Sequence, residues 1–165
     1  MFEETPDELT EIDGIGPKNL FGLKLAQAVS MSYLKDRIQS KDFLTSSDEV
    51  LDYLKANLRE RSKEVFMVLL LNGRNQILSI EELFEGTLTT SAVYPREVVR
   101  KVIEYGAAAV LFAHNHPSGN PNPSQDDITI TKKLKEACST IDVCVHDHII
   151  IAGKDYTSLA GRGLI

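Results

Sequence analysis

The chain has 165 residues, a formal net charge of −6, 42% apolar and 25% charged residues, two cysteines and no tryptophan. That composition fits one ordinary domain with a small appendage and excludes wholesale disorder and a disulfide scaffold; even Val65–Leu71, an unbroken apolar run that no other exceeds, is too short to cross a bilayer. The acidic start, Met1 to Pro6, lacks the positive-then-apolar order of a secretory signal, and Cys138 and Cys144 form no CxxC pair, so they read as reduced thiols of a cytoplasmic protein.

The charge is uneven. Residues 1–60 carry twelve Asp/Glu against seven Lys/Arg, whereas residues 61–165 carry twelve against eleven. Within residues 1–30 only Lys18 and Lys24 oppose six carboxylates. Binding to nucleic acid depends on Lys and Arg displacing counterions from phosphates, so this balance disfavours strong autonomous DNA binding by the front segment.

Leu9 to Ser30 reads as two short helices joined by the turn Gly14-Ile15-Gly16-Pro17-Lys18, with Pro17 suited to a first helical position. Residues 39–47 read as a linker, which places a boundary near residue 40 between a small helical segment (1–40) and the main domain (41–165). Ser46 with Glu49 three residues on is a capping-box pattern, opening a helix with Val50, Leu51, Leu54 and Leu58 in one stripe.

From Glu64 the period changes. Val65–Leu71 predicts a strand covered on both faces, and Asn72-Gly73 a hairpin into a second strand over 76–80. A short polar strand is expected over 87–92. Pro95 starts a helix with Val98, Val99, Val102 and Ile103 inward, stopped by Gly106. Ala107–Ala113 predicts a buried strand, followed by a loop that Pro117, Pro121, Pro123 and Gly119 keep irregular. Ser124 caps a helix running to about Ser139, and two strands are expected over 142–146 and 148–151. Hairpins interleaved with helices predict an α/β fold, a mixed sheet flanked by helices.

His114 and His116 carry the chemistry. At a strand end, residues i and i+2 share a face, so both imidazoles can converge. Asp127 falls at the third position of the helix capped by Ser124, close to the same loop. Two His and one carboxylate suit catalytic zinc, which keeps a fourth position for water and lowers its pKa toward about 7. A general base is then required, and Glu64, at the mouth of an apolar strand, is the leading candidate. Ser124 can donate to the oxyanion formed when water attacks a carbonyl. Each residue also has a plainer reading. His-x-His in a Pro/Gly loop is often a surface feature, and Ser124 with Asp127 can be a capping box alone. Glu60 rivals Glu64, and His146-Asp147-His148 is a second His-x-His. A zinc deaminase is excluded because His-x-Glu and Pro-Cys-x-x-Cys are both missing.

The joint spacing is more specific than any part. Glu64, then His114-x-His116-Pro117-x-Gly119, Ser124 and Asp127 resembles the JAMM (MPN+) metalloprotease signature. Pro95-Arg96-Glu97, Ala113 to Gly119, Pro123-Ser124 and Asp147-His148 resemble the RadC-like branch of that superfamily, and Asp13 to Lys18 resembles the helix-hairpin-helix element that precedes its metalloprotease domain. The resemblance implies a cytidine-deaminase-like mixed sheet between helices and hydrolysis of peptide or isopeptide bonds in a peptide or protein substrate. It implies zinc held by His114, His116 and Asp127, with Glu64 as base and Ser124 supporting the tetrahedral intermediate. A DNA-associated accessory role, with the hairpin touching phosphate through backbone N–H groups and Lys18, is the alternative.

Overall fold

The computed structural model describes residues 16–39, 41–43, 46–86 and 93–165. The first helix and most of the turn expected over residues 9–15, and the strand expected over 87–92, lie outside those residues. The elements are α1 (Pro17–Ile38), α2 (Ser47–Leu58), β1 (Glu64–Leu71), β2 (Ile77–Gly86), α3 (Pro95–Tyr105), β3 (Ala109–Asn115), α4 (Gln125–Ser139), β4 (Cys144–Ala152) and β5 (Asp155–Ser158). The strands form one sheet in the order β2-β1-β3-β4-β5, with β3 and β4 parallel and the other pairs antiparallel. The fold is therefore α/β, a mixed sheet flanked by helices.

Strand alternation builds two cores. Val65, Met67, Leu69 and Leu71 of β1 join Leu111 and Ala113 of β3, and α2 covers them with Val50, Leu54 and Leu58. Phe66, Val68 and Leu70 join Val110 and Phe112 on the other face, beneath Val98 and Val102 of α3 and Ile130 and Leu134 of α4. Being covered twice explains why β1 is apolar throughout.

Several local expectations need correction. The second helix continues past Ser30 to Ile38, because Met31, Leu34 and Ile38 pack onto the first core. The stretch expected as a linker is laid against the β1–β2 hairpin: Gln39 and Asp42 bridge Ile77 and Gln76, and Phe43 is buried. Ser46 precedes α2, but its hydroxyl donates back to the Asp42 carbonyl and does not cap the helix, while Glu49 pairs with Arg37 and Lys41. In the hairpin the left-handed residue is Asn75 (φ 57°), and the Asn72 side chain accepts from the N–H groups of Arg74 and Gln76. Ile103 is 68% exposed, so the inward face of α3 is narrower than its sequence suggests. Gly106 ends α3 at φ 62°, ψ 36°, as a C-terminal glycine should. The two strands expected over 142–151 are one, β4, which a bulge opposite Val110 and Leu111 bends but does not break.

Among the described residues, no helix is long and apolar enough to cross a membrane. Cys138 and Cys144 are both free, the first buried and the second exposed.

Candidate metal centre

The site forms where β3 ends beneath the start of α4. His114 is the penultimate residue of β3, and the strand direction persists one step further, because the His116 N–H donates to the Ile151 carbonyl. That extension keeps the two imidazoles on one face, with ring centroids 4.8 Å apart. Asp127 arrives from α4 through a complete capping box. Ser124 Oγ accepts from the Asp127 N–H, and the Ser124 N–H donates to Asp127 Oδ2. The box fixes the carboxylate at the first turn and aims it at the histidines.

The resulting separations are short. His114 Nε2 lies 3.0 Å from His116 Nε2 and 3.2 Å from Asp127 Oδ1, and His116 Nε2 lies 3.3 Å from Asp127 Oδ2. His114 is fully buried, Asp127 nearly so, and His116 partly exposed, so the cluster meets solvent at His116. His116 Nδ1 donates to the Asn120 carbonyl at 2.8 Å, so its Nε2 faces the cluster. Bare ring nitrogens and a carboxylate at such distances repel one another unless a proton or a cation lies between them. Hydrogen bonding to Asp127 accordingly raises the pKa of His116, with a further push from the charge of Glu64. Burial opposes the charge on Asp127, but the adjoining imidazoles and the hydrogen bond from Ser124 outweigh it and hold the carboxyl well below its usual range. The three side chains form a set able to hold a metal ion. Two nitrogens, one oxygen and no sulfur make a borderline donor set, one that suits zinc.

Glu64 begins β1 and is half-buried. The register pairs Phe66 with His114, and Glu64, two residues before Phe66 along β1, stands near enough for its charge to act on His116. Glu60 lines a separate cavity of about 620 Å³ between α1, α2 and the start of β1, together with Val65 of the other face. The Ser124 hydroxyl donates to Asp127 Oδ2 at 2.7 Å, so its hydrogen is engaged with the carboxylate.

The second His-x-His is split. His146 occupies the β4 bulge, stacks on Phe43 in the first core and contacts Asn75, whereas His148 turns to Phe66 and Phe112 in the second. His148 nevertheless belongs to the centre, with Nε2 2.8 Å from His114 Nδ1. Burial, reinforced by the nearby His114, pushes its pKa well below the ordinary histidine value.

Two further residues escaped the sequence reading. Asn115, between the two histidines, faces the opposite side of the sheet. There its side chain accepts from the Val65 N–H and donates to the carbonyls of Arg61 and Lys63, fixing the entrance of β1 beside Glu64. Thr131 stands one helical turn beyond Asp127 and meets His148. A buried Asn amid an apolar strand and a Thr at i+4 from a ligand are the signals that mark them.

A model of the RadC-like JAB domain matches residues 44–164. The chain belongs to the RadC-like JAB domain family. It is 44% identical to a UPF0758 protein of Idiomarina loihiensis and 44% identical to another of Dechloromonas aromatica; both alignments cover 100% of this chain and 74% of the relative. A third, from Pseudoalteromonas translucida, is 42% identical over the same share of each chain. Those names state no activity. The JAB-domain match begins after residues 13–18, and the His/Asp cluster falls within it.

Proposed function

We propose that this RadC-like JAB domain is a zinc-dependent hydrolase of peptide or isopeptide bonds, with His114, His116 and Asp127 as the zinc ligands. The observation that carries this reading is the convergence of two Nε2 atoms and one carboxylate within 3.3 Å, on a face that leaves His116 partly open to solvent. Bound zinc would supply a Lewis-acidic position and acidify a water molecule. Glu64, whose charge reaches His116, would take the proton from the attacking water and deliver it to the leaving amine. For Ser124 to serve the oxyanion, its hydroxyl must turn from Asp127 Oδ2 toward the scissile carbonyl; the Ser124 N–H meanwhile keeps the carboxylate in place.

The test is metal analysis of protein purified without added zinc, followed by zinc titration and digestion of a peptide library. The expected result is one zinc per chain and hydrolysis that disappears with chelation. His114→Ala/His116→Ala should carry no zinc. Glu64→Gln should keep zinc while losing a factor of about 10² to 10⁴ in rate. A wild-type chain that takes up no zinc on titration overturns the reading.

A further inference from the structure

Behind the ligand set runs a chain of buried polar groups that crosses from α4 through β4 to β3. Thr131 Oγ1 lies 2.5 Å from the Asp127 carbonyl oxygen and 2.5 Å from His148 Nδ1; His148 Nε2 lies 2.8 Å from His114 Nδ1. Thr131, His148 and His114 are all inaccessible to solvent. The placement of hydrogens follows from counting. A carbonyl only accepts, so the single hydroxyl hydrogen of Thr131 goes to Asp127. His148 Nδ1 must then donate to Thr131 Oγ1. The His148 ring is enclosed edge-on by Phe66 and Phe112, with ring centroids 5.4 and 6.0 Å away, and both its nitrogens are occupied by Thr131 and His114. Among the described residues no carboxylate is hydrogen-bonded to the ring, and a buried cation without such a partner is costly, so Nε2 is left as an acceptor. His114 Nδ1 therefore carries hydrogen, and His114 Nε2 presents a bare lone pair to Asp127 and His116.

We infer that Thr131 and His148 are positioning residues that lock His114 in its Nδ1–H tautomer and aim its Nε2 lone pair into the metal centre. The inference deepens the zinc reading and rests on it for its purpose, though the tautomer itself is a property of the metal-free chain. Unlike a backbone carbonyl, the acceptor of the His114 N–H is itself a two-sided ring, so its orientation depends in turn on Thr131. Thr131→Val keeps the shape and removes the acceptor. His148 then escapes a buried unpaired N–H by moving its hydrogen to Nε2, which obliges His114 to accept at Nδ1 and to carry hydrogen on Nε2, where it blocks the ligand lone pair.

The experiment is a two-bond ¹⁵N–¹H correlation spectrum of the imidazoles in the metal-free full chain, paired with zinc affinity from chelator competition. Wild type should show Nδ1–H for both His114 and His148. Thr131→Val should shift both to Nε2–H and weaken zinc binding by about 10- to 100-fold, while Thr131→Ser, which retains the hydroxyl, should match wild type in both readouts. An Nε2–H tautomer at His114 in the wild type overturns the inference. So does an unchanged tautomer and zinc affinity in Thr131→Val, or a loss in Thr131→Ser as large as that in the valine variant. If the wild type shows the Nδ1–H tautomer and binds no zinc, the zinc reading fails and the locked imidazole stands. Should Thr131→Val not fold, the wild-type spectrum and the serine variant still decide.

Discussion

Asp127 does two jobs with one carboxylate. Oδ2 closes the capping box of α4 on the Ser124 N–H, while Oδ1 and Oδ2 face the two imidazoles. The sequence presents capping and metal binding as alternatives, and in the structure the capping box itself directs the carboxylate at the two imidazoles. Asparagine has one oxygen where aspartate has two. In Asp127→Asn, either the box loses its acceptor or an NH₂ group points at His116. Zinc affinity should fall at least about tenfold, in line with the loss of an anionic ligand or its support. Chelator competition against wild type checks it, and an unchanged affinity would reduce Asp127 to a capping role. Asn115 is a second residue whose value lies in satisfying its neighbours. Its side chain meets three backbone groups at the mouth of β1. Asn115→Ala leaves them without that partner and should cost about 1–3 kcal/mol in urea unfolding. What is local in sequence was legible at this scale: an i, i+2 pair of imidazoles and a carboxylate three residues after a cap. The roles of Asn115, Thr131 and His148 were not, because each depends on partners on other strands and helices, and the i+4 spacing of Thr131 or the His-x-His of His148 does not name those partners.

At the scale of elements, the β4 bulge shows how a single residue can undo a pattern argument. Alternation would put His146 and His148 on one face, as it does for His114 and His116. The bulge shifts the parity, so His146 packs on Phe43 and His148 on Phe112. A bulge leaves no periodic trace, and for that reason the rival pair could not be dismissed from sequence. The strands and helices themselves were readable, because Val65–Leu71 and Ser124–Ser139 carry strong period and cap signals. Less readable was what ties β2 to α3. Glu81 on β2 accepts from Tyr105 and Ser79 at Oε1 and pairs with Lys101 at 2.9 Å through Oε2. Burial opposes its charge, but the hydrogen bonds from Lys101, Ser79 and Tyr105 outweigh that and pull its pKa from 4.5 down to about 2. A carboxyl with a lowered folded-state pKa stabilises the fold above its unfolded value, and that contribution fades as the pH drops toward the folded value. Stability should therefore decline between pH 4.5 and about 2, and the decline should be shallower in Glu81→Gln. Urea midpoints across that range, compared between the two proteins, measure it; parallel profiles would show that Glu81 contributes nothing to acid stability.

For the whole molecule, the decisive fact is that the proposed metal ligands sit on a layer already built from apolar contacts. His114 follows Phe112 along β3, and Asp127 precedes Ile130 and Leu134 along α4. All three of those apolar side chains are fully buried in the second core. Both elements contribute to that one apolar core, and the capping box sets the carboxylate. This chain is therefore expected to fold without zinc, in contrast to small domains that are unfolded without their metal. It should still stabilise the folded state by mass action, because the unfolded chain scatters the three ligands. With free zinc at a hundred times the dissociation constant, the gain is about 2.7 kcal/mol. For a chain of this size that corresponds to an increase in Tm of roughly 5–11 °C. Calorimetry of chelator-treated protein should show one cooperative transition without metal and the same transition at higher temperature with it. His114→Ala should abolish the increase while leaving the metal-free transition recognisable. A chelated wild-type chain with no cooperative transition would mean that the metal, not the two apolar layers, holds β3 to α4.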